Sequence, residues 1–373
     1  MREEAKARTV RVLVVDDSSF IRLALKRIIQ SDSELEVVGC AHGGYEALDM
    51  AAELDPDVVT MDIEMPRMNG LEAVQALMAS NPRPVIMVSS LTQDGADATF
   101  QALEYGAFDY VAKHGAGGLD VTQIRRELIA KIKAAAESRL RNRRKNGSIH
   151  NEVWRQTRDP RAMGVAPSLV CIGSSTGGPR ALQQILPVLP GNLPVGIVII
   201  QHMPPGFTAP FAARLDGMCS IHVKEAEMND LIEPGTVLIA PAGWHVAIQQ
   251  KSYSRYAVRL TKTPSDTLHM PSVDVTMLSA AEVLGPRAMG VVLTGMGNDG
   301  EAGMTAIHAA GGYTVAQDEE TSVVYGMPKA CATAGVVSKV LPLPEIANEI
   351  IAAVTRCSHG ARDGIGIGSQ VEV

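Results

Sequence analysis

The feature that most constrains this chain is a repeated alternation of short apolar segments with amphipathic ones. In the first third of the chain the apolar segments are 11–15, 36–40, 57–61, 84–88 and 110–112. Amphipathic stretches lie between and after them, among them 20–30, 44–54, 96–105 and 121–138. Near-continuous apolar strands separated by helices are typical of parallel sheets that are covered on both faces. Because the alternation resumes after residue 168, we expect an α/β protein with two doubly wound parallel-sheet domains.

Length and composition narrow what such a chain can do. A chain of 373 residues is expected to form two domains, and a net charge of −7 argues against nucleic acid as the main partner. The five cysteines are scattered and never in C-x-x-C spacing, which fits a reducing compartment. The N-terminus lacks the apolar run of a signal peptide, and the longest apolar run, at 195–200, is too short to span a bilayer. We therefore expect a cytoplasmic protein without membrane insertion.

Polar residues follow the apolar segments of the first half, where the strands of the predicted sheet end. Asp16 and Asp17 follow the first segment, Asp62 the third, Ser89 the fourth and Lys113 the fifth. Converging carboxylates repel one another unless a cation is present, and ligands that are all oxygen select a hard metal such as Mg²⁺. A lysine and a hydroxyl beside them would contact phosphoryl oxygens. Plain solvation of strand ends is the alternative, and the coincidence of so many polar positions at one edge disfavours it.

Three segments of this half resemble the signatures of response-regulator receiver domains. They read VLVVDDS at 12–18, MDIEMPRMNG at 61–70 and DYVAK at 109–113. The resemblance implies a flavodoxin-like fold in which Asp62 is the phospho-acceptor. It also implies that Asp16, Asp17 and Asp62 hold Mg²⁺, with the backbone carbonyl of Glu64 as a further ligand.

The same resemblance assigns the residues that respond to the phosphoryl group. Ser89 and Lys113 would sense it, Tyr110 would be the aromatic switch residue, and a sensor histidine kinase would be the phosphodonor. The chain departs from the family pattern at His114, where proline is usual, which puts the geometry of the loop after the fifth strand in question.

The periodicity stops between the two halves. From about residue 137 to residue 167 the sequence is polar and begins with a basic run at 139–145, a composition typical of a linker. A nucleic-acid-binding arm is the alternative, but neither a helix-turn-helix pattern nor base-stacking aromatics accompany the run. We expect the following divisions: a receiver domain at 1–137, a linker at 138–166, a catalytic domain at 167–357 and a flexible, glycine-rich tail at 358–373.

The segment VCIGSSTGGP at 170–179 reads as a strand, a tight turn and the start of a helix expected at 180–186. Its G-S-S-T-G core has the G-x-S-x-G form of a nucleophile elbow, in which small flanking residues let a serine project from a sharp turn. The helix start favours a developing anion. A phosphate cradle would use the same features, although the G-x-G-x-x-G spacing of a dinucleotide site is absent.

Three apolar strands of the second half are followed by the three residue types of a hydrolytic triad. Ser175, His202 and Asp299 come after the strands predicted at 169–172, 195–200 and 289–293. In a parallel sheet these strand ends share one edge. A serine hydroxyl needs a base to take its proton, and the imidazole needs a carboxylate to orient it and stabilise its charge.

The residues alone leave competitors for two of these roles. His245 and His269 compete with His202 for the role of base, and Asp274 competes with Asp299 for that of the orienting acid. Ser175 would be merely structural if the second half were a binding-only adaptor. Because glycines surround Met296 in the segment TGMGNDG, its backbone N–H is free to approach a ligand and is a candidate oxyanion donor.

Together these motifs resemble the CheB family of chemotaxis protein-glutamate methylesterases, over residues 11–354 and with both domains in the family's order. The segments are IGSSTGG at 172–178, QHM at 201–203, APAG at 240–243, PSVD at 271–274 and LTGMGNDG at 293–300. The resemblance implies Ser175 as nucleophile, His202 as base and Asp299 as orienting acid, with Thr176 and Met296 supporting the oxyanion. It leaves His245, His269 and Asp274 as pocket or surface residues.

The resemblance also implies a complete activity. A flavodoxin-like receiver would control a Rossmann-like serine hydrolase domain that demethylates glutamate methyl esters on the cytoplasmic helices of chemoreceptors. It would also deamidate specific glutamines there, without a cofactor in the esterase site, and so serve chemotaxis adaptation. From the domain order we expect an unphosphorylated receiver to cover the esterase edge and phosphorylation to release it.

Overall fold

The chain forms two parallel α/β sheets with helices on both faces, as the alternation predicts. The computed structural model describes residues 8–90, 92–113, 121–145, 165–253 and 255–355. His114, the greater part of the predicted linker and the predicted tail at 358–373 lie outside the described residues. Within these ranges, no helix is long and apolar enough to cross a bilayer.

Within its described residues, the first domain contains five parallel strands and five helices. The strands are β1 (Val10–Val15), β2 (Leu35–Ala41), β3 (Val58–Asp62), β4 (Val85–Ser90) and β5 (Asp109–Lys113). The helices are α1 (Ser19–Gln30), α2 (Gly44–Leu54), α3 (Gly70–Ser80), α4 (Gln93–Glu104) and α5 (Val121–Lys145). The sheet order is β2-β1-β3-β4-β5. This order places the ends of β1 and β3 side by side, and with them the predicted acidic cluster.

Helix α5 is longer than the sequence predicts. It continues to Lys145, so the basic run expected to open the linker is helical, which corrects the prediction for that stretch. The guanidinium of Arg139 is buried and pairs with Asp55 at 2.8 Å and with Asp57 at 3.6 Å. These ion pairs tie the helix to the loop before β3 and explain why it extends past the end of the apolar periodicity. The domain boundaries themselves stay predictions.

The second domain has a seven-stranded parallel sheet and one antiparallel hairpin. Its strands are β6 (Leu169–Ser174), β7 (Gly196–Gln201), β8 (His222–Glu225), β9 (Thr236–Ile239), β10 (His245–Ser252), β11 (Arg255–Thr261), β12 (Ala288–Val292), β13 (Tyr313–Gln317) and β14 (Lys339–Leu341). Its helices are α6 (Gly178–Ile185), α7 (Thr208–Asp216), α8 (Val273–Leu284), α9 (Glu301–Ala309), α10 (Met327–Thr333) and α11 (Leu343–Thr355). The sheet order is β14-β13-β12-β6-β7-β9-β8, and β10 pairs with β11.

The strand order brings the three predicted triad strands together. Strand β6 lies between β12 and β7, and every residue of β6 and β7 is buried, as expected for the middle of a covered sheet. In the register, Ser174 of β6 pairs with Gln201 of β7. The next residues, Ser175 and His202, therefore leave the sheet at the same level.

The two domains pack through an aromatic cluster. Phe100 of α4 lies 5.1 Å from Phe211 and 6.1 Å from Phe207, measured between ring centroids. The ring of Tyr110 in β5 stacks on Phe207 at 5.0 Å and 16°. At the rim of this cluster, the guanidinium of Arg214 in α7 pairs with Glu104 at the end of α4 at 2.6 Å. The receiver therefore docks on the loop that follows His202.

Candidate functional sites

Ser175 is the first residue after β6, in the turn that leads into α6. Gly177 closes this turn with φ of +78°, a region that favours glycine. A Cβ on Gly178 would lie 2.0 Å from Oε1 of Gln201, so only glycine fits there. The N–H of Ser175 donates to the carbonyl of Thr294 at 3.1 Å, which ties the turn to the loop after β12. The local structure is the strand–turn–helix that the G-x-S-x-G pattern predicts.

Gln201, the last residue of β7, clamps this turn to the neighbouring loop. Its Oε1 accepts a hydrogen bond from the hydroxyl of Ser174 at 2.6 Å, and its Nε2 donates to the carbonyls of Ser175 and His202, each at 3.0 Å. Sequence reasoning did not assign this role to Gln201. A buried amide at the end of an apolar strand is the signal that could have found it.

His202 and Asp299 form the central contact of the site. Nε2 of His202 lies 2.8 Å from Oδ2 of Asp299, and both side chains are largely buried. Asp299 also accepts hydrogen bonds from the backbone N–H groups of Val273 and Asp274, at 2.8 and 2.9 Å, and from the hydroxyl of Ser272 at 2.9 Å. Burial by itself raises the pKa of Asp299, but the bond to His202 and these donors outweigh it and hold the pKa well below its usual range. Asp299 is therefore a stable anion at the start of α8.

Asp274 has a different task. Its Oδ1 accepts hydrogen bonds from the N–H groups of Gly300 and Gly303, at 2.9 and 2.8 Å, so it caps the start of α9. Burial and the nearby Asp299 raise its pKa. Asp299 thus caps the start of α8, the helix that contains Asp274, and Asp274 caps the start of α9, the helix that follows Asp299. Of the two aspartates, Asp299 is the one that contacts His202.

The two competing histidines also separate. His245 is fully buried, with Nε2 bonded to the carbonyl of Pro264 at 2.9 Å and Nδ1 accepting the N–H of Ser272 at 3.1 Å. Both of its nitrogens are used within the fold. His269 instead stacks on His202, with ring centroids 3.9 Å apart and planes at 18°. No sequence pattern indicates this contact, since the loop of His269 has no periodicity that places it.

The other nitrogen of His202, Nδ1, faces no hydrogen-bond partner. It is buried, and in the described part of the chain nothing bonds to it, including the hydroxyl of Ser175. The two side chains nevertheless follow adjacent positions of paired strands, and the N–H of His202 donates to the carbonyl of Ser174 at 3.1 Å. Nδ1 is therefore the nitrogen of His202 that Asp299 does not engage.

Thr176 and Met296, the predicted oxyanion residues, flank Ser175. The hydroxyl of Thr294 donates to the carbonyl of Thr176 at 2.9 Å. Burial raises the pKa of Asp109 in the receiver, and the nearby side chain of Thr176 opposes that rise. Gly295 precedes the half-buried Met296, and a Cβ on this glycine would lie 2.9 Å from Cβ of Ser175. The glycine lets the Met296 loop lie directly against the serine.

The receiver domain contains the predicted acidic cluster. Ligand oxygens of Asp16, Asp17 and Asp62 lie within 4.8 Å of one another, and Glu64 lines the same cleft. The ammonium of Lys113 lies 2.9 Å from Oδ2 of Asp16 and 2.7 Å from Oδ1 of Asp62. Burial raises the pKa of Asp62, although the Lys113 hydrogen bond opposes the shift. A donor set of carboxylate oxygens is the chemistry that Mg²⁺ prefers.

The other predicted switch residues, Ser89 and Tyr110, make their contacts away from the acidic cluster. Ser89 is buried and its hydroxyl donates to the carbonyl of Gly95 at 3.0 Å. Tyr110 is buried between the domains, and its hydroxyl has no hydrogen-bond partner within the described ranges. The ammonium of Lys131 lies 5.1 Å from the centroid of the Tyr110 ring, and burial raises the pKa of the tyrosine well above its usual value.

Comparison with known proteins matches the two halves of the chain to two different families. Residues 12–119 match the family model of the response regulator receiver domain, and residues 170–350 match that of the CheB methylesterase. A protein-glutamate methylesterase/protein-glutamine glutaminase of Pyrococcus abyssi is 46% identical over 363 residues, which cover 96% of this chain and 97% of that protein.

Solved structures match each part separately. The CheB methylesterase catalytic domain of Thermotoga maritima is 43% identical, with a TM-score of 0.48, and the match covers 50% of this chain and 98% of that chain. The response regulator domain of Thermotoga maritima CheB is 52% identical, with a TM-score of 0.33, and covers 35% of this chain and 98% of that chain. On the full-length identity and the two family models, the chain belongs to the CheB family of protein-glutamate methylesterases/protein-glutamine glutaminases, in which a response-regulator receiver precedes the methylesterase domain.

Proposed function

We propose that Ser175 is the nucleophile of the methylesterase reaction, that His202 is its general base and that Asp299 orients the base. The 2.8 Å contact between His202 and Asp299 carries this assignment. It leaves Nδ1 of His202 as the acceptor for the proton of Ser175. A buried carboxylate on one nitrogen fixes the tautomer and stabilises the imidazolium that forms when the other nitrogen takes the proton.

In the proposed reaction, Oγ of Ser175 attacks the carbonyl carbon of a glutamyl methyl ester while its proton moves to His202. Backbone N–H groups at the start of α6 and at Met296, with Thr176 beside them, hold the oxyanion. The C–O bond then breaks, His202 returns the proton to the leaving methoxide, and methanol departs. Water, deprotonated by His202, hydrolyses the acyl-enzyme and regenerates the serine. With a glutamine side chain the leaving group is ammonia.

The substrate that we propose is a helix in the cytoplasmic part of a chemoreceptor, and we place the enzyme in the cytoplasm. The full-length similarity to enzymes named for glutamate demethylation and glutamine deamidation supports this substrate class. Removal of methyl esters from receptors would serve adaptation in chemotaxis.

Replacement of the serine tests the assignment. Ser175→Ala should lower methanol release from a methylated receptor fragment by about 10³-fold or more, since it removes the nucleophile. A serine-directed phosphonate should label the wild type and not the variant. Ser220→Ala, at an exposed turn of the same domain, is the matched control. Substantial turnover by a folded Ser175→Ala chain would refute the triad and favour a binding-only adaptor.

We further propose that Asp62 accepts a phosphoryl group from a sensor histidine kinase. Asp16, Asp17, Asp62 and the backbone carbonyl of Glu64 would hold Mg²⁺, which when bound neutralises charge on the acceptor and the phosphoryl oxygens. Lys113 already contacts Asp62 and would follow the phosphoryl oxygens, and Ser89 would turn toward them.

Strand β5 is the structural basis that we propose for regulation. Lys113 at its carboxyl end contacts Asp62, and Asp109 at its amino end, roughly 13 Å away, lies beside Thr176 of the esterase. Between them, Tyr110 stacks on Phe207. A docked receiver would cover the esterase edge and occupy Thr176, and phosphorylation would shift the equilibrium to the undocked state.

Methanol release measured with and without a small-molecule phosphodonor and Mg²⁺ tests this regulation. We expect release to rise with the donor in the wild type and not in Asp62→Asn, which lacks the acceptor. Release that ignores the donor in both proteins would contradict the Asp62 switch and leave the esterase residues untouched, with His114 the first position to exchange for proline.

A further inference from the structure

His269 has a contact with the reaction centre that the triad does not explain. It lies in the loop between β11 and α8, and its ring stacks nearly parallel on that of His202, with centroids 3.9 Å apart and planes at 18°. At this separation the two rings are in van der Waals contact over a face. The contact is therefore with the proposed base itself.

The loop that carries His269 is held at several points. The carbonyl of Met270 accepts the N–H of Gly243 at 3.0 Å, and the carbonyl of His269 accepts the hydroxyl of Thr267 at 2.9 Å. Buried His245 bonds the loop at Pro264 and again at Ser272. These bonds hold the backbone on both sides of His269, so the loop presents the stacked ring from a fixed position in the fold.

A second restraint on His202 has a clear geometric consequence. The hydrogen bond from Nε2 to Asp299 fixes one edge of the imidazole but leaves the ring free to swing about that bond. A ring stacked on its face removes this freedom. With both restraints, the plane of His202 is set, and with it the direction in which Nδ1 points.

We propose that His269 is a positioning residue for the esterase reaction: its stacked ring holds the plane of His202 so that Nδ1 is presented to Ser175. This role rests on the proposed function of His202 as the base. The face of a neutral imidazole also attracts the positive charge that forms on His202 when it takes the serine proton.

The charges around His269 are compatible with this role. His202 and Asp299 face it from the loops after β7 and β12, and Glu127 and Lys131 of α5 in the receiver also act on it. Burial and the proximity of His202 lower the pKa of His269 to about 4. The ring is therefore neutral at the pH where the enzyme works, and it places no second positive charge against the imidazolium.

Two variants in the full-length chain, assayed with phosphodonor and Mg²⁺, test the proposal. His269→Ala removes the ring, and we expect kcat to fall about 10- to 100-fold while KM changes by less than about twofold. His269→Phe keeps a flat ring without nitrogen atoms, and we expect it to restore kcat to within about threefold of the wild type. His222→Ala, which changes an exposed histidine on β8, is the control.

A second readout reports on the base directly. In ¹⁵N spectra of His202, the wild type and His269→Phe should show sharp ring signals, and His269→Ala should show signals broadened by motion of the ring. Thermal unfolding of each variant separates loss of position from loss of fold, and the Phe variant carries the test alone if the Ala variant does not fold.

Two results would overturn the proposal. One is a folded His269→Ala chain whose kcat is within about twofold of the wild type. The other is a folded His269→Phe chain as slow as His269→Ala, which would mean that a ring nitrogen of His269 takes part in proton transfer. If His202→Ala itself retained turnover, the failure would lie in the assignment of the base, and that result is distinguishable from both.

Discussion

Two buried aspartates at strand ends of the two domains behave in opposite ways. Asp62 ends β3 and Asp299 follows β12, and their side chains are similarly buried, with exposed fractions of 6% and 13%. Yet the pKa of Asp62 is raised by burial, whereas that of Asp299 is lowered despite it. Burial alone therefore does not set the charge of a carboxylate in this molecule.

The difference lies in the donors that each carboxylate receives. Asp62 has the ammonium of Lys113 and the N–H of Ile63, and it shares the lysine with Asp16. Asp299 has His202, two backbone N–H groups at the start of α8 and a serine hydroxyl. The acidic edge of the receiver therefore keeps an excess of negative charge, which favours binding of a cation from solution. The esterase edge stabilises its carboxylate with donors of its own.

Neutralising Asp299 is the most direct test of this difference between the two aspartates. Asp299→Asn should lower kcat by about 10³- to 10⁴-fold, because the amide can donate to His202 and favour the wrong tautomer. Asp274→Asn is the matched control, since its Oδ1 can still accept from Gly300 and Gly303. Methanol release from both variants measures the effect. Equal losses in the two variants would mean that the helix caps, and not the orientation of His202, account for the activity.

The two sites also differ in what surrounds them. The esterase edge lies against the other domain, the receiver, whereas the acidic cleft is lined, within the described part of the chain, by residues of its own domain. Glu104 and Arg214 pair at the rim of the docked surface. Glu104→Arg and Arg214→Glu should each raise the rate without phosphodonor about two- to fivefold, since a like-charge pair replaces an ion pair of modest strength.

The double exchange is the internal control for the docking contact. Glu104→Arg combined with Arg214→Glu restores opposite charges and should bring the rate without donor back toward that of the wild type. A double variant at least as active as the more active single one would contradict docking through this pair.

The smallest expected effect concerns stability and pH. Because the folded-state pKa of Asp299 lies below its unfolded value of about 4, its stabilisation is fully present above that value and is lost as the pH falls through the folded pKa. The difference in urea midpoint between wild type and Asp299→Asn should therefore stay constant from about pH 8 to pH 5 and shrink below about pH 4. Asp266→Asn, at an exposed loop position, is the control. A difference that already shrinks between pH 8 and pH 6 would contradict the lowered pKa.

The sequence by itself determined both sheets and named the candidate site residues. Apolar strands alternating with amphipathic helices allow few arrangements, and parallel strands deliver their following residues to one edge. For that reason Ser175, His202 and Asp299 could be proposed together although Ser175 and Asp299 are 124 residues apart, and Asp16, Asp17 and Asp62 could be proposed as a cluster.

Only the tertiary structure showed which contacts form between segments that are far apart in the sequence. It showed that Asp299 contacts His202 and that Asp274 caps the start of α9. This outcome depends on how α8 and α9 pack against each other. It set His269 against His202 from a loop without periodicity. It also showed that α5 continues through the basic run, whose first residue, Arg139, pairs with Asp55 and Asp57 far earlier in the chain. Periodicity reports the conformation of one segment, whereas these contacts depend on the packing of segments against each other.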